Sequence, residues 1–301
     1  MKNGYNYGYY LVAFVDVLGQ KEAFRDINAM PETEEASQNL LNAHKQTVGF
    51  VRRFRDRFRD FFDAYTKEKE SEIKIPQEKK EQFNAMRKSI LKYTSFSDCI
   101  QAYVPLRSEE YHSQCINGVF GVLGACGCML LQSLSENKSF RAGLEVGIGT
   151  ELESDELYGP AFFNAYTLES KIAKLPRIVI GEELINYLMH LKNKIQQVPN
   201  QKNEDLEVCK IMGENCLKMI VKDIDGQYIL DYLGEQFSDN FKKNLSDDGQ
   251  REYVEICKRA FNFVEQEYER RKQAKDEKLA IRYFMLYNYF QAKRKIWDLD
   301  F

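Results

Sequence analysis

The chain has 301 residues, 44% hydrophobic and 30% charged, enough for a sizeable core in one or two domains. A formal net charge of -3 and a pI of about 5.9 leave no electrostatic case for nucleic acid as a partner. Residues 1–10 are polar and tyrosine-rich without an apolar leader-like run, the seven cysteines are odd in number and form no CxxC, and the three histidines are scattered. A cytoplasmic, reducing setting is the expectation, and neither a disulfide framework, a zinc site nor a histidine-based triad is.

Tyr9 to Val17 (YYLVAFVDV) reads as a strand, apolar on both alternating faces until Asp16 and therefore central in a sheet. Gly19 breaks it and a helix follows. Residues 36 to about 66 read as helix, with a dense Arg, Asp and Phe segment from Arg52 to Phe62 whose charges suit a solvated face. Lys67 to Gln82 is almost wholly polar, with Pro76 inside it, and reads as an exposed turn between two helices. Lys92 to Val104 (KYTSFSDCIQAYV) predicts two strands meeting near Ser97 and Asp98.

Glu109 to Ser135 predicts a helix. Its centre, Gly118 to Leu131, is uncharged and apolar but too short to span a bilayer on its own, so no membrane is expected and a buried core helix is. Gly118, Gly121, Gly124 and Gly127 form a stripe suited to close approach to a sheet. Phe140 to Ile148 (FRAGLEVGI) is a strand with Phe140, Ala142, Leu144, Val146 and Ile148 on one face. On the other, glycine alternates with Arg141 and Glu145, leaving a floor that something else can approach. Pro160 suits the first turn of a helix whose buried stripe is Ala161, Ala165, Leu168 and Ile172. A short strand at 177–180, a helix at 182–196 and further strands within 206–232, with Asp225-Gly226 as a hairpin turn, complete this part.

From Gln236 the character changes to two amphipathic helices, about 247–271 and 278–296, which either form a dimer arm or pack on the sheet. The expected architecture is α+β, a ferredoxin-like βαββαβ sheet with helices on one face plus the C-terminal helical pair. The expected domains are 1–234, with a helical insertion at about 36–90, and 235–301. No GxGxxG or GxxxxGK[ST] phosphate loop is present, which argues against a Rossmann or P-loop protein.

A carboxylate at the end of a buried strand is costly unless it is paired, hydrogen-bonded or bound to metal. Asp16 is such a group, just before a glycine turn whose amides can face an anion, and Asp98 sits at a hairpin tip. Together they suit Mg²⁺ carrying a triphosphate. A helix cap at Asp16 and a plain turn aspartate at Asp98 are the structural alternatives.

Phe14-Val15-Asp16-Val17-Leu18-Gly19 resembles the first metal-binding motif of class III nucleotidyl cyclases, and Ser97-Asp98 resembles their Gly-Asp hairpin. Arg141-x-Gly143-Leu144-x-x-Gly147 is similar to the family's Arg-x-Gly-Ile-x-x-Gly strand. The segment from Gly159 through Asn164 and Ala165 to Glu169-Ser170 is similar to its glycine-to-helix segment. The four blocks keep the family's order across residues 9–232. The resemblance implies a nucleoside triphosphate substrate and two Mg²⁺ or Mn²⁺ ions held by Asp16, Asp98 and the Val17 carbonyl. It further implies amides from Leu18, Gly19 and on to Lys21 at the triphosphate, and a homodimer with sites between protomers.

The chain also departs from the family. Phe163 and Thr167 stand where an asparagine and an arginine steady the transition state, with Asn164 one step away as the substitute. Thr94 replaces the purine-reading lysine, beside Tyr93, and the second base-reading position falls near Glu156. The Gly-Pro-Ala stretch, the insertion before Asp98 and the C-terminal helices resemble the pyrimidine cyclases of Pycsar antiphage systems. That resemblance implies cyclic CMP or cyclic UMP as product and a cyclic-nucleotide-binding effector as functional partner. A purine cyclase, or a non-catalytic cyclase-like nucleotide-binding module, are the alternatives. Arg141 either supports Asp98 or a phosphate, or pairs with a neighbour.

Overall fold

A strand that is apolar on both faces is stable only with partners on both edges, and in the computed structural model β1 (Tyr7–Val17) has them. The structure describes residues 7–24, 27, 29–67, 89–107, 116–152, 156–193 and 204–297. The expected turn at 68–82, the start of the apolar helix at 109–115 and the end of the next at 194–196 lie outside the described residues. β1 pairs antiparallel with β3 (Cys99–Pro105) on one edge and β4 (Phe140–Glu151) on the other. β2 (Lys92–Phe96) pairs with β3 through a two-residue turn, and β5 (Leu157–Tyr158) folds back on β4. Beyond β4 lie β6 (Ile178–Ile180), parallel to it, then β8 (Tyr228–Leu230) and β7 (Ile220–Lys222), giving the order β2-β3-β1-β4-β6-β8-β7. The first four strands and the helices between them form the expected ferredoxin-like antiparallel set, and the fold is α+β.

The main helical layer covers the face bearing Leu11, Ala13, Val15, Ala142 and Leu144. It contains α1 (Glu34–Gln46), α2 (Val48–Thr66) and α3 (Ile116–Ser135). Thr33 caps α1, and Thr47 separates α1 from α2, its hydroxyl donating to the Ala43 carbonyl at 2.7 Å. The fourfold spacing of Phe50, Phe54, Phe58 and Phe62 puts one aromatic row of α2 into the core. The Arg52 to Arg59 segment is more than a solvated face. Arg55 donates to the Ser97 carbonyl at 3.1 Å, and Arg59 caps Tyr93, so α2 holds the β2–β3 hairpin.

Of the glycine stripe of α3, Gly118 serves approach to the sheet, lying against Val104 of β3, and the other three do not. At these three the space left by the missing side chain is filled by Phe62 and Thr66 at Gly121, Tyr65 at Gly124, and Phe237 at Gly127. They are thus a row of sockets for aromatic rings from other helices. α3 spans 20 residues and holds an 18-residue window of mean hydropathy 1.6, long and apolar enough to cross a membrane, yet 83% of that window is buried inside the protein.

α5 (Glu182–Asn193) matches its expected position. The sequence did not announce α6 (Glu204–Lys218), because its buried positions are Cys209, Gly213 and Cys216 rather than large apolar residues. The C-terminal helices α7 (Glu235–Asn244), α8 (Asp247–Gln273) and α9 (Glu277–Lys293) add a further layer, α8 lying along α3 rather than on the sheet. Tyr253, Cys257, Phe261, Leu286 and Phe290 continue the same core. Buried Asp231 fastens this layer, accepting from Lys293 Nζ at 2.6 Å and from the Tyr289 hydroxyl at 2.9 Å.

One short helix departs from the one-sided plan. α4 (Pro160–Thr167) and the π-helical turn Leu168–Ala173 lie on the opposite face of β4 and β1. The floor left by Gly143 and Gly147 is therefore occupied by the protein's own backbone. A Cβ on Gly143 would stand 2.2 Å from the Ala165 carbonyl oxygen, and one on Gly147 3.2 Å from Ala161 Cα. Gly143→Ala should push α4 off the sheet and destabilise the fold by about 1–3 kcal/mol, the range for overpacking against an unyielding neighbour. Urea unfolding of the variant measures this, and unchanged stability would show that α4 is free to shift.

Candidate active site

The register of the sheet assembles the site. Asp16 stands near the end of β1, directly between Cys99 on β3 and Arg141 on β4. Asp98 occupies the turn joining β2 to β3, where Ser97 adopts φ 55°, a left-handed backbone suited to a tight two-residue turn. The turn is tied to β1 by the Val17 N–H, which donates to the Asp98 carbonyl at 3.2 Å. Two segments more than eighty residues apart are thereby brought together. Ligand-competent atoms of Asp16, Asp98 and Cys99 lie within 4.8 Å of one another.

Electrostatics decide which of these groups can serve a cation. Burial, with Asp16 next to it, pushes the Cys99 thiol up to about 12, so it is a neutral thiol whose Sγ faces Asp16 Oδ1 at 3.5 Å. The donors that remain are two carboxylates, hard oxygen ligands that fit Mg²⁺ or Mn²⁺. The other oxygen of Asp16 meets Arg141, Nη2 to Oδ2 at 3.1 Å. Arg141 also donates through Nε to Glu169 Oε1 at 2.5 Å. Glu169 is buried on the π-helical turn, and burial raises its carboxyl to about 7 against the pull of Arg141, with the Asp16 charge adding to the rise.

The other expected positions are distributed as follows. Gly19 takes φ 80° at the mouth of the turn, with open space beside it. The Leu18 N–H is not available to a triphosphate, because it donates to the Ser139 carbonyl at 2.8 Å. The helix after Gly19 is a single 3-10 segment, Gln20–Phe24. Thr94 pairs with Gln101, two residues from Cys99, and so shares the face of Asp16. Tyr93 does not. It pairs with Ala102 on the opposite face, packs toward the helical layer and accepts from Arg59 Nη2 at 2.6 Å, so it forms no wall of the site. Asn164 lies on the exposed side of α4, since Ala161 and Ala165 are the residues turned to the sheet. Glu156 is exposed at the far end of β4, where its carbonyl accepts from Leu152 N–H at 2.7 Å. Ten residues of strand separate Arg141 from Glu151, a span of about 33 Å, so Glu156 is remote from Asp16 within one chain.

Of the open choices for Arg141, the structure takes the pairing with carboxylates. Glu169 and Cys99 are the groups that sequence reasoning did not single out as site residues. A signal for Glu169 exists in retrospect: Ala161, Ala165 and Glu169 are spaced by four, which carries a carboxylate onto the buried stripe of a helix.

No family profile matches the sequence, and no curated protein matches it. Among solved structures, a bacterial light-regulated adenylyl cyclase is similar over 58% of this chain and 76% of that chain, at 15% identity and a TM-score of 0.32. A likeness at that level has no bearing on activity.

The raised Glu169 carboxyl makes stability depend on pH with a definite sign. In the fold it keeps its proton to about pH 7, whereas its ordinary value is 4.5. The folded state binds more protons in that window, so the stability contribution is full below it and is lost as pH rises through about 7. Glu169→Gln should remove this slope. Urea unfolding of both proteins between pH 5 and 8 in chelator checks it, and parallel curves would refute the assignment.

Proposed function

We propose that this chain is a class III-type nucleotidyl cyclase that converts a pyrimidine nucleoside triphosphate, UTP or CTP, to its 3′,5′-cyclic monophosphate and pyrophosphate. The observation that carries the proposal is the meeting of Asp16, near the end of β1, with Asp98 in the β2–β3 turn, their ligand-competent oxygens within 4.8 Å. Two Mg²⁺ or Mn²⁺ ions, when bound, supply charge neutralisation at the triphosphate and a more acidic 3′-hydroxyl. Asp16 and Asp98 are the residues that hold them, with the Val17 carbonyl beside them. In the reaction the 3′-oxygen bonds to the α-phosphorus, the bond from that phosphorus to the β-phosphate oxygen breaks, and the hydroxyl proton is lost. The chain's own part is to hold the triphosphate and the 3′-hydroxyl in line, and Arg141 places a fixed positive charge next to Asp16.

The pyrimidine preference rests on Thr94 and Phe96, which share the face of Asp16. A short hydroxyl reaches less far than a lysine, and the Phe96 ring adds bulk, so a single-ring base suits the space better. The antiphage setting, with a cyclic-nucleotide-binding effector downstream, belongs to the same proposal and rests on the resemblance in sequence.

A homodimer fits the exposed aromatic surface. Phe96, 83% exposed, lies on the same side of the sheet as α4, which presents Phe163 and Tyr166 to solvent beside Tyr158. An apolar face flanking a charged site is one that a second copy can cover, and it would bring Asn164 of that copy with it. One observation favours the non-catalytic reading instead. Thr167, at the position of the family's arginine, has its hydroxyl committed to the Phe163 carbonyl at 2.8 Å.

Incubation with each of the four nucleoside triphosphates and Mn²⁺, followed by mass spectrometry, tests the proposal. Cyclic UMP or cyclic CMP should dominate, and Asp16→Asn or Asp98→Asn should each lower turnover by about a hundredfold or more with the fold intact. ATP or GTP as best substrate would overturn the pyrimidine preference, and no cyclic product from any nucleotide would favour the binding-module reading. On dilution, specific activity should fall as dimers part, whereas a fully active monomer by light scattering would exclude a shared site.

A further inference from the structure

Arg141 serves two carboxylates. Its Nε is 2.5 Å from Glu169 Oε1, while its Nη2 is 3.1 Å from Asp16 Oδ2. Ion-paired hydrogen bonds are about 2.7–2.9 Å long, so the Asp16 contact is the longer and weaker of the two and the guanidinium leans toward Glu169. Glu169 continues the buried stripe of Ala161 and Ala165 into a π-helical turn that starts at Leu168, and that turn lies directly on β4. A Cβ on Gly143 would meet the Ala165 carbonyl at 2.2 Å, Leu168 Cβ at 2.6 Å and the Glu169 amide at 2.7 Å. A π-helical segment changes the direction of side chains relative to an α-helix and recurs at functional sites. Here it delivers a buried carboxylate to the guanidinium beside Asp16.

We propose that Glu169 is a positioning residue for the metal site, drawing the Arg141 guanidinium off Asp16 so that Asp16 stays available to a divalent cation. The inference rests on the reading of Asp16 and Asp98 as metal ligands. Without Glu169, Asp16 is the ion-pair partner left to the guanidinium among the described residues. It then sits fully on Asp16 and competes with the metal, because whatever binds Asp16 in the metal-free protein lowers metal affinity by the same factor. Removing Arg141 has the opposite effect, since it deletes the competitor.

The test is Mn²⁺ binding to the nucleotide-free protein at pH 8, where the Glu169 carboxyl is ionised, read as the free-ion signal in electron paramagnetic resonance. Glu169→Gln should raise the Kd about tenfold, the equivalent of one charge-assisted contact transferred to Asp16. Arg141→Gln should lower the Kd, and adding Glu169→Gln to it should change little. A mere loss of negative charge would weaken Mn²⁺ equally in both backgrounds, and that result overturns the proposal. So does an unchanged Kd in Glu169→Gln when Asp16→Asn abolishes binding. If Asp16→Asn and Asp98→Asn bind Mn²⁺ like the parent, the metal site itself is wrong, which no Glu169 variant could mimic. Near-ultraviolet circular dichroism reports the fold of each variant. Should Glu169→Gln not fold, Glu169→Asp decides, because it keeps the charge but shortens the reach. A Kd raised by a smaller factor supports the proposal, and an unchanged one overturns it.

Discussion

Asp16 ends the apolar run of β1, so its charge must be met at the point where the central strand leaves the core. Each neighbour at that end of the sheet answers this need in a different way. Cys99 supplies a neutral thiol on one side, and Arg141 supplies a guanidinium on the other. Asp98, brought close by the hairpin turn, adds a second carboxylate within 4.8 Å. Asp16 and Glu169 share the one guanidinium of Arg141, an arrangement poorly suited to stability alone.

The asymmetry of the two sheet faces follows from the side chains of β4. Phe140, Ala142, Leu144 and Val146 point to the thick helical layer, where α2, α3 and α8 build the main core. Gly143 and Gly147 point the other way and let α4 settle on the backbone. The thin side is therefore held by few large residues, and it is the side that carries Asp16, Arg141 and Thr94. Stability and chemistry are separated across the sheet. The C-terminal helices strengthen the thick side through Asp231 and Trp297, away from the site.

Much of this was legible in the residues. The uninterrupted apolar run of β1, the alternation in β4, the Asp225-Gly226 turn and the Gly159-Pro160 start of α4 each report a local backbone preference. Asp16 was legible because it ends an apolar strand and Asp98 because it sits at a hairpin tip, while their reading as a pair of metal ligands came from the resemblance in sequence. Less was legible where a pattern leaves the contacting partner open. The glycine stripe of α3 announced close packing and not that aromatic rings would fill it. Tyr93 and Thr94 are adjacent in sequence, yet the pleat sends them to opposite faces.

Sequence by itself determined most of the elements and the core faces of β1, α2 and the first half of β4, because hydrophobic periodicity and turn chemistry act over a few residues. Only the tertiary structure decided that Glu169 would share Arg141 with Asp16, that Leu18 would give its amide to Ser139, and that Glu156 would sit at the far end of β4. These outcomes depend on the register between strands distant in the chain and on how closely α4 can approach Gly143. Periodicity says which residues share a surface, whereas the partner of that surface is fixed only when the whole chain has packed.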